Sequence, residues 1–189
     1  MKIVFITKRY FPHIGGVEKH ILGLCRELKS HEVTVLTEKY DTSLSDSEII
    51  EKVHIHRIPL INIKEGDKKW VIWKWVREHE SLLNSADIIH VHDVFYWLYW
   101  YKLTHPLKKI FTTFHGWEGV YPIPLKNIVH KNLASMLSNG SIGVGDYISK
   151  WYGIKPKLIT YGACDAPKVA SQIDSKNKTI PAQFFDVEK

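Results

Sequence analysis

The stretch Thr113-Phe114-His115-Gly116-Trp117-Glu118-Gly119 sets an imidazole, an indole and a carboxylate around two glycines. Glycine keeps the backbone open to a ligand. Histidine can donate to or accept from sugar hydroxyls, and tryptophan can stack on the apolar face of a sugar ring. A histidine placed there is more available for chemistry than one inside a core, and a functional site is expected at His115. A second stretch, Lys8 to Gly16, pairs two cations with the dipeptide Gly15-Gly16 ahead of an amphipathic segment. A helix N-terminus carries unpaired N–H groups and about half a positive charge, and glycine lets a bulky anion approach it. The pattern suits a phosphate or diphosphate pocket, and it equally suits a tight turn that only needs glycine.

Four other histidines come in two pairs. His90 and His92 lie two apart on one strand and share a face, as do His54 and His56. Such a pair needs a third ligand to hold a metal. No Cys-x-x-Cys, His-Glu-x-x-His or Asp-x-Asp motif is present, so ordinary hydrogen-bonded strand histidines are expected and no metal. His92-Asp93 could place an imidazole and a carboxylate at a pocket mouth, and Asp93 also suits the N-cap of the next helix.

The elements that must position these residues alternate regularly. Strands are predicted at Lys2–Thr7, Glu32–Thr37, Val53–Ile58, Asp87–His92, Lys109–Phe114, Ser141–Val144 and Lys157–Tyr161. Helices are predicted at Val17–Lys29, Lys68–Leu83, Asp93–Thr104, Ile123–Ser138 and Asp146–Tyr152. The first helix shows its apolar stripe at Val17, Ile21, Leu24, Cys25 and Leu28. Glu38–Glu51 is polar and serine-rich and reads as a loop. The alternation predicts an α/β, Rossmann-like, mostly parallel sheet of about seven strands with helices on both faces. Ligands in such sheets bind beyond the carboxyl ends of the strands, where Gly15, Gly16, Asp93, His115 and Tyr147 fall. From Ala166 to Lys189 the pattern stops, and the segment reads as linker or tail, with Phe184-Phe185 as an apolar hook.

The 189 residues suit one domain with length left over. A net charge of +6 favours anionic partners, yet the lysines and arginines are scattered, which argues against a nucleic-acid groove. Two cysteines give no disulfide framework. Without a signal peptide or a membrane span a cytoplasmic protein is expected. On Lys68–Leu83 the core stripe is Ile72, Trp75, Val76, His79 and Leu83, while Trp70 and Trp73 project elsewhere beside Lys74 and Arg77. A tryptophan-and-cation surface suits peripheral contact with a membrane headgroup region, and packing against a neighbouring loop suits it as well. Val94–Tyr101 is apolar all round and predicts a buried helix or the floor of a greasy groove.

Taken together, Pro12-His13-Ile14-Gly15-Gly16-Val17-Glu18, His90-Val91-His92-Asp93, Thr113-Phe114-His115-Gly116, Ile142-Gly143-Val144-Gly145-Asp146-Tyr147 and Ile159–Asp165 resemble glycosyltransferase family 4. The resemblance covers residues 1–165. It implies the N-terminal, acceptor-side domain of a retaining GT-B enzyme that moves a sugar from a nucleotide-sugar donor to a sugar, glycolipid or lipid-linked acceptor in glycan or cell-envelope polysaccharide synthesis. It places Gly15 and Gly16 toward the donor diphosphate, His115 beside the transferred sugar, and Glu18, Asp93, Trp117, Glu118 and Tyr147 as acceptor or cleft-rim contacts. It implies no metal. The family often has serine where Gly145 stands. Its second domain supplies an Arg/Lys pair and a Glu-x7-Glu motif, and no two glutamates here are eight apart. Residues 166–189 are then interdomain linker, the donor-binding domain is expected to be absent, and little turnover is expected from the chain alone. The competing expectation is a non-catalytic module of the same fold that binds an anionic or lipid-linked ligand.

Overall fold

The computed structural model describes residues 1–116 and 121–161. Trp117, Glu118, Gly119, Cys164, the predicted linker and Phe184-Phe185 lie outside the described residues. Eight strands form one sheet: β1 (Lys2–Thr7), β2 (Glu32–Lys39), β3 (Ser47–Ile50), β4 (Val53–Pro59), β5 (Ile88–His92), β6 (Ile110–Phe114), β7 (Gly140–Val144) and β8 (Leu158–Thr160). Their order is β3-β4-β2-β1-β5-β6-β7-β8. Every pairing is parallel except β3 with β4.

Alternate residues of each strand feed two cores, because successive side chains point to opposite faces. On one face α1 (Gly16–Glu27) sets Ile21 and Cys25 over Ile3, Phe5, Val33, Val35, Val53 and Ile55. On the other face Val4, Ile6, Leu36 and Ile58 meet Ile72, Val76, Leu83, Trp97, Ala134, Ile148 and Tyr152. Those come from α2 (Lys68–Glu78), α3 (Glu80–Asn84), a 3-10 turn at Phe95–Leu98, α5 (Leu125–Leu137) and α6 (Tyr147–Tyr152). Between that turn and β6 runs α4 (Tyr99–Thr104). The doubly covered, mostly parallel sheet is the architecture the alternation predicts.

Three local readings are corrected. The stretch taken as a loop contains β3, an antiparallel edge strand that extends the expected seven strands to eight. Its hairpin turn is made by Glu51 and Lys52, both at positive φ (48° and 70°), so the Asn-Gly signal of such a turn is missing. The helix predicted over Lys68–Leu83 divides at His79, whose N–H donates to Trp75 O while its ring stacks on Trp75 at 3.8 Å. His79 is therefore exposed rather than part of the core stripe. The helix predicted from Asp93 begins instead as the 3-10 turn, because Asp93 sits at φ +61° and turns its carboxylate away from the helix start.

Candidate functional site

The chain runs outward from β1 to β2 and β4, then returns across β1 to β5 and continues outward on the other side. That reversal is a topological switch point, where the connections leaving adjacent strands diverge and a crevice opens beyond their carboxyl ends. A cleft of about 1780 Å³ lies there. Thr7, His92 and Val144 reach it from strand ends, Gly16 from the start of α1, and His115 from the residue after β6.

The two glycines of the first loop serve different ends. The Glu18 carboxylate folds back into the space a methyl on Gly15 would occupy, with Oε1 3.2 Å from His13 Nδ1. Gly16 has nothing near the position of an absent Cβ and leaves the start of α1 bare on the cleft. Lys8 is exposed along the same wall, whereas Arg9 Nε donates to Glu38 Oε1 at 3.3 Å. The loop is moored from across the sheet. Arg57 on β4, 1% exposed, donates from Nη2 to Phe11 O at 3.0 Å and from Nη1 to Ser45 O at 2.9 Å, and pairs with Glu48.

The floor of the cleft is built of imidazoles. His92 Nδ1 and His115 Nε2 share a hydrogen bond of 2.8 Å. His90 stacks on His92 at 4.5 Å and bonds Thr113 Oγ1 through Nε2 at 2.7 Å. His20 projects from α1 one helical turn beyond Gly16 and meets the His115 ring edge-on at 5.0 Å. Burial disfavours the charged form of each ring. It takes His115 down to about 4, against a partial upward pull from Asp93. It takes His90 to about 4 and His92 well below the usual range, and it lowers His20. All four are neutral near pH 7, so the His92–His115 bond couples two tautomers. If His92 donates, His115 keeps an N–H on Nδ1 to give; if His115 donates, its Nδ1 can accept a hydroxyl proton.

Asp93 and Tyr147 hold this floor in place. Asp93 accepts from the His115 backbone N–H at 3.2–3.3 Å and from Lys131 Nζ at 2.9 Å, so it secures the His115 loop rather than capping the next helix. Tyr147 donates its hydroxyl to His115 O at 2.5 Å. Its ring also covers Gly145, which sits at φ +98°. A side chain at 145 would be strained by the backbone and would strike Tyr147, so the glycine that departs from the family pattern is explained by the turn itself.

The outer wall is aromatic and basic. Trp73, Tyr96, Tyr99, Lys68, Lys69 and Lys126 border the cleft. Trp73 donates its indole N–H to Tyr96 O at 2.8 Å and is half-buried. Trp70 is 57% exposed and lies edge-on to Trp73 at 5.1 Å, with Lys69 Nζ 5.0 Å above its ring. Lys74 and Arg77 are exposed. Val94–Tyr101 supplies buried Val94, Phe95, Trp97, Leu98 and Tyr101, while Trp100 points outward at 58% exposure.

Gly16, Glu18, Asp93 and His115 of the sequence-derived residues thus line one cleft. Gly15 and Tyr147 support it from behind. His54 and His56 gather no third ligand among the described residues. Sequence reasoning missed His20, Lys131 and Arg57. His20 had a usable signal, its i+4 spacing from Gly16; the other two act through partners 38 and 46 residues away.

Among the described residues no helix is long and apolar enough to cross a membrane. By fold, the chain is similar to sucrose-phosphate synthase from Thermosynechococcus elongatus, with a TM-score of 0.65 at 14% identity over 85% of this chain and 47% of that one. It is similar as well to a putative UDP-N-acetylglucosamine 2-epimerase from Listeria monocytogenes, at 0.51 and 16% over 84% and 43%. By sequence it is 25% identical over 145 residues to the GDP-mannose:cellobiosyl-diphosphopolyprenol alpha-mannosyltransferase of Xanthomonas campestris, covering 70% of this chain and 36% of that protein. The counterpart in Xanthomonas oryzae pv. oryzae is 26% identical over 122 residues, 31% of its length. The chain spans about a third of the length of these curated relatives. The model of Glycosyltransferase Family 4 matches residues 14–161, from the glycine loop through β8, and the chain belongs to that family.

Proposed function

We propose that this chain is the acceptor-side, N-terminal lobe of a retaining glycosyltransferase that moves a sugar from a nucleotide-sugar donor to a glycan or lipid-linked acceptor in cell-envelope polysaccharide synthesis. The observation that carries the reading is the shared cleft: the bare start of α1 at Gly16 and the neutral imidazole of His115 open on one space, joined by the His20 ring. The departing diphosphate gathers negative charge as the glycosidic bond breaks. Backbone N–H groups at Gly16, backed by Lys8, meet that charge with fixed positive poles. His115 bonds a hydroxyl of the transferred sugar through Nδ1, with its loop held by Asp93 and Tyr147. Glu18 lies on the acceptor rim. Transfer uses no metal, and a second lobe facing the cleft completes the donor site. The relatives' length, about three times the matched span, supports that lobe.

GDP-mannose and a diphosphopolyprenol-linked glycan are the first donor and acceptor to try, after the relatives' printed activity. The lysines that border the cleft suit a diphosphate-bearing acceptor. Exposed Trp70, Lys74 and Arg77 suit a peripheral seat at the cytoplasmic face of the membrane, while Trp73 belongs to the cleft wall.

The test is to incubate the complete gene product containing this chain with those two substrates and read the anomeric carbon–proton coupling of the product. An α-mannosyl product, unaffected by EDTA, supports the reading. A β product overturns retention. Tight substrate binding with no product favours the non-catalytic module.

A further inference from the structure

His20, His92 and His115 come from three separate elements, and each offers one ring nitrogen such that the three lie within 4.8 Å of one another. We propose that these three imidazoles form a binding site for a single divalent transition-metal ion of the zinc class. The effect on sugar transfer drawn below rests on the function proposed for His115; the binding itself does not.

The donor set selects the ion. Three neutral imidazoles suit zinc, cobalt, nickel or copper, whereas magnesium and calcium need oxygen ligands. Asp93 beside His115 has its oxygens engaged by the His115 N–H and by Lys131, so among the described residues no hard-cation cage is assembled. His92 is 1% exposed, and its Nδ1 meets His115 Nε2, so these two nitrogens already converge beside the His20 ring.

The geometry needs little adjustment. Nitrogens bound to a tetrahedral zinc at about 2.0–2.1 Å stand roughly 3.3 Å apart, inside the present spread. The 2.8 Å contact between His92 and His115 is that of two rings sharing one proton, and it opens by about half an ångström for an ion to take the proton's place. The N–H moves to the other nitrogen of its ring, so neutral imidazoles bind without net proton release. His90, stacked on His92 and tied to Thr113, limits the rotation of the His92 ring. His20 and His115 both border the cleft, so the fourth position opens on it and can hold water or a ligand oxygen. His115 then holds the ion through Nε2 and is fixed with its N–H on Nδ1, and the ion's fourth ligand stands in the cleft beside the sugar; the ion is an obstacle to transfer rather than a participant, and zinc inhibits.

The experiment titrates zinc, then cobalt, into the metal-stripped 189-residue chain, with calorimetry for stoichiometry and visible absorption for cobalt geometry. The expected result is one equivalent bound, an intense tetrahedral cobalt spectrum, and affinity reduced on the order of 100-fold by His20→Ala and by His115→Ala. His54→Ala and His130→Ala, outside the cluster, retain it. Circular dichroism confirms that each variant folds, and zinc raises the melting temperature of the parent chain but not of His20→Ala. Several weak equivalents, a pale six-coordinate cobalt spectrum, or undiminished affinity in His20→Ala overturns the site. In the complete gene product, zinc should suppress transfer and EDTA should restore it. Stoichiometric binding with transfer unaffected keeps the metal site and overturns the inhibition.

Discussion

The floor and the outer wall of the cleft are built on opposite plans. The floor joins residues far apart in the chain. His92 bonds His115, Asp93 holds Lys131, and Arg57 holds Phe11 across 46 positions. His92 and Arg57 are each only 1% exposed. The wall is aromatic instead: Trp70 lies edge-on to Trp73, Trp73 donates its indole N–H to Tyr96 O, and Trp70 and Trp100 stay more than half exposed. A desolvated polar network is rigid when its bonds are satisfied and costly when one is lost. An exposed aromatic surface adjusts to its partner and costs little to alter. The floor is therefore the rigid half of the cleft and the wall the adjustable half.

Substitution of Arg57 breaks the comparison most forcefully. Arg57→Leu strands two backbone carbonyls and Glu48 and releases the glycine loop, and it should cost about 3 kcal/mol in denaturant unfolding. A loss below 0.5 kcal/mol, the range of ordinary surface changes, would show that the floor is not the rigid half.

Acid should find the floor before the wall. His90 and His92 ionise in the unfolded chain near 6.5 but are held down in the folded one, His90 to about 4. Their folded pKa values are depressed by burial, and the groups facing them, His20 and His115, push the same way. The unfolded state then binds more protons, so stability rises with pH. It is fully present above 6.5 and is lost as pH falls toward 4, by up to about 1.4 kcal/mol per pH unit for each such ring. Unfolding measured at pH 7 and at pH 5 should show the loss, and His90→Phe should flatten it. An identical slope in that variant contradicts the assignment.

Trp70→Ala is the mildest change. Its stability effect should stay within about 0.5 kcal/mol, while partition onto anionic vesicles falls severalfold. A large loss of stability would make Trp70 part of the core and remove the distinction between wall and floor.

The same distinction explains what could be read from sequence. The parallel sheet was legible because β-branched runs alternate with amphipathic ones, and the place of Gly16 and His115 on the cleft was legible because both follow strand ends, where the crevice of such a sheet opens. Edge strand β3 was hidden because Glu51-Lys52 makes its turn without the usual residues. The break at His79 was hidden because a ring stacking on Trp75 leaves the apolar spacing unaltered. Nothing in the sequence around Lys131 marks it, and only the folded chain brings it to Asp93. In sequence Asp93 suits both a pocket mouth and a helix cap, and only its positive φ, which the sequence does not announce, directs it to the His115 loop. His54-His56 and His90-His92 have the same spacing, yet only the second pair lies at the switch point, where α1 and the end of β6 bring further imidazoles.

The most direct test of the central claim is kcat/KM for sugar transfer by the complete gene product with His115→Ala, set beside Trp70→Ala. The floor's role in chemistry requires a loss of about 100- to 1,000-fold for His115→Ala, carried in kcat, with the variant still folded. Trp70→Ala should change the value by less than about tenfold and act through KM. Transfer undiminished in folded His115→Ala would contradict the account.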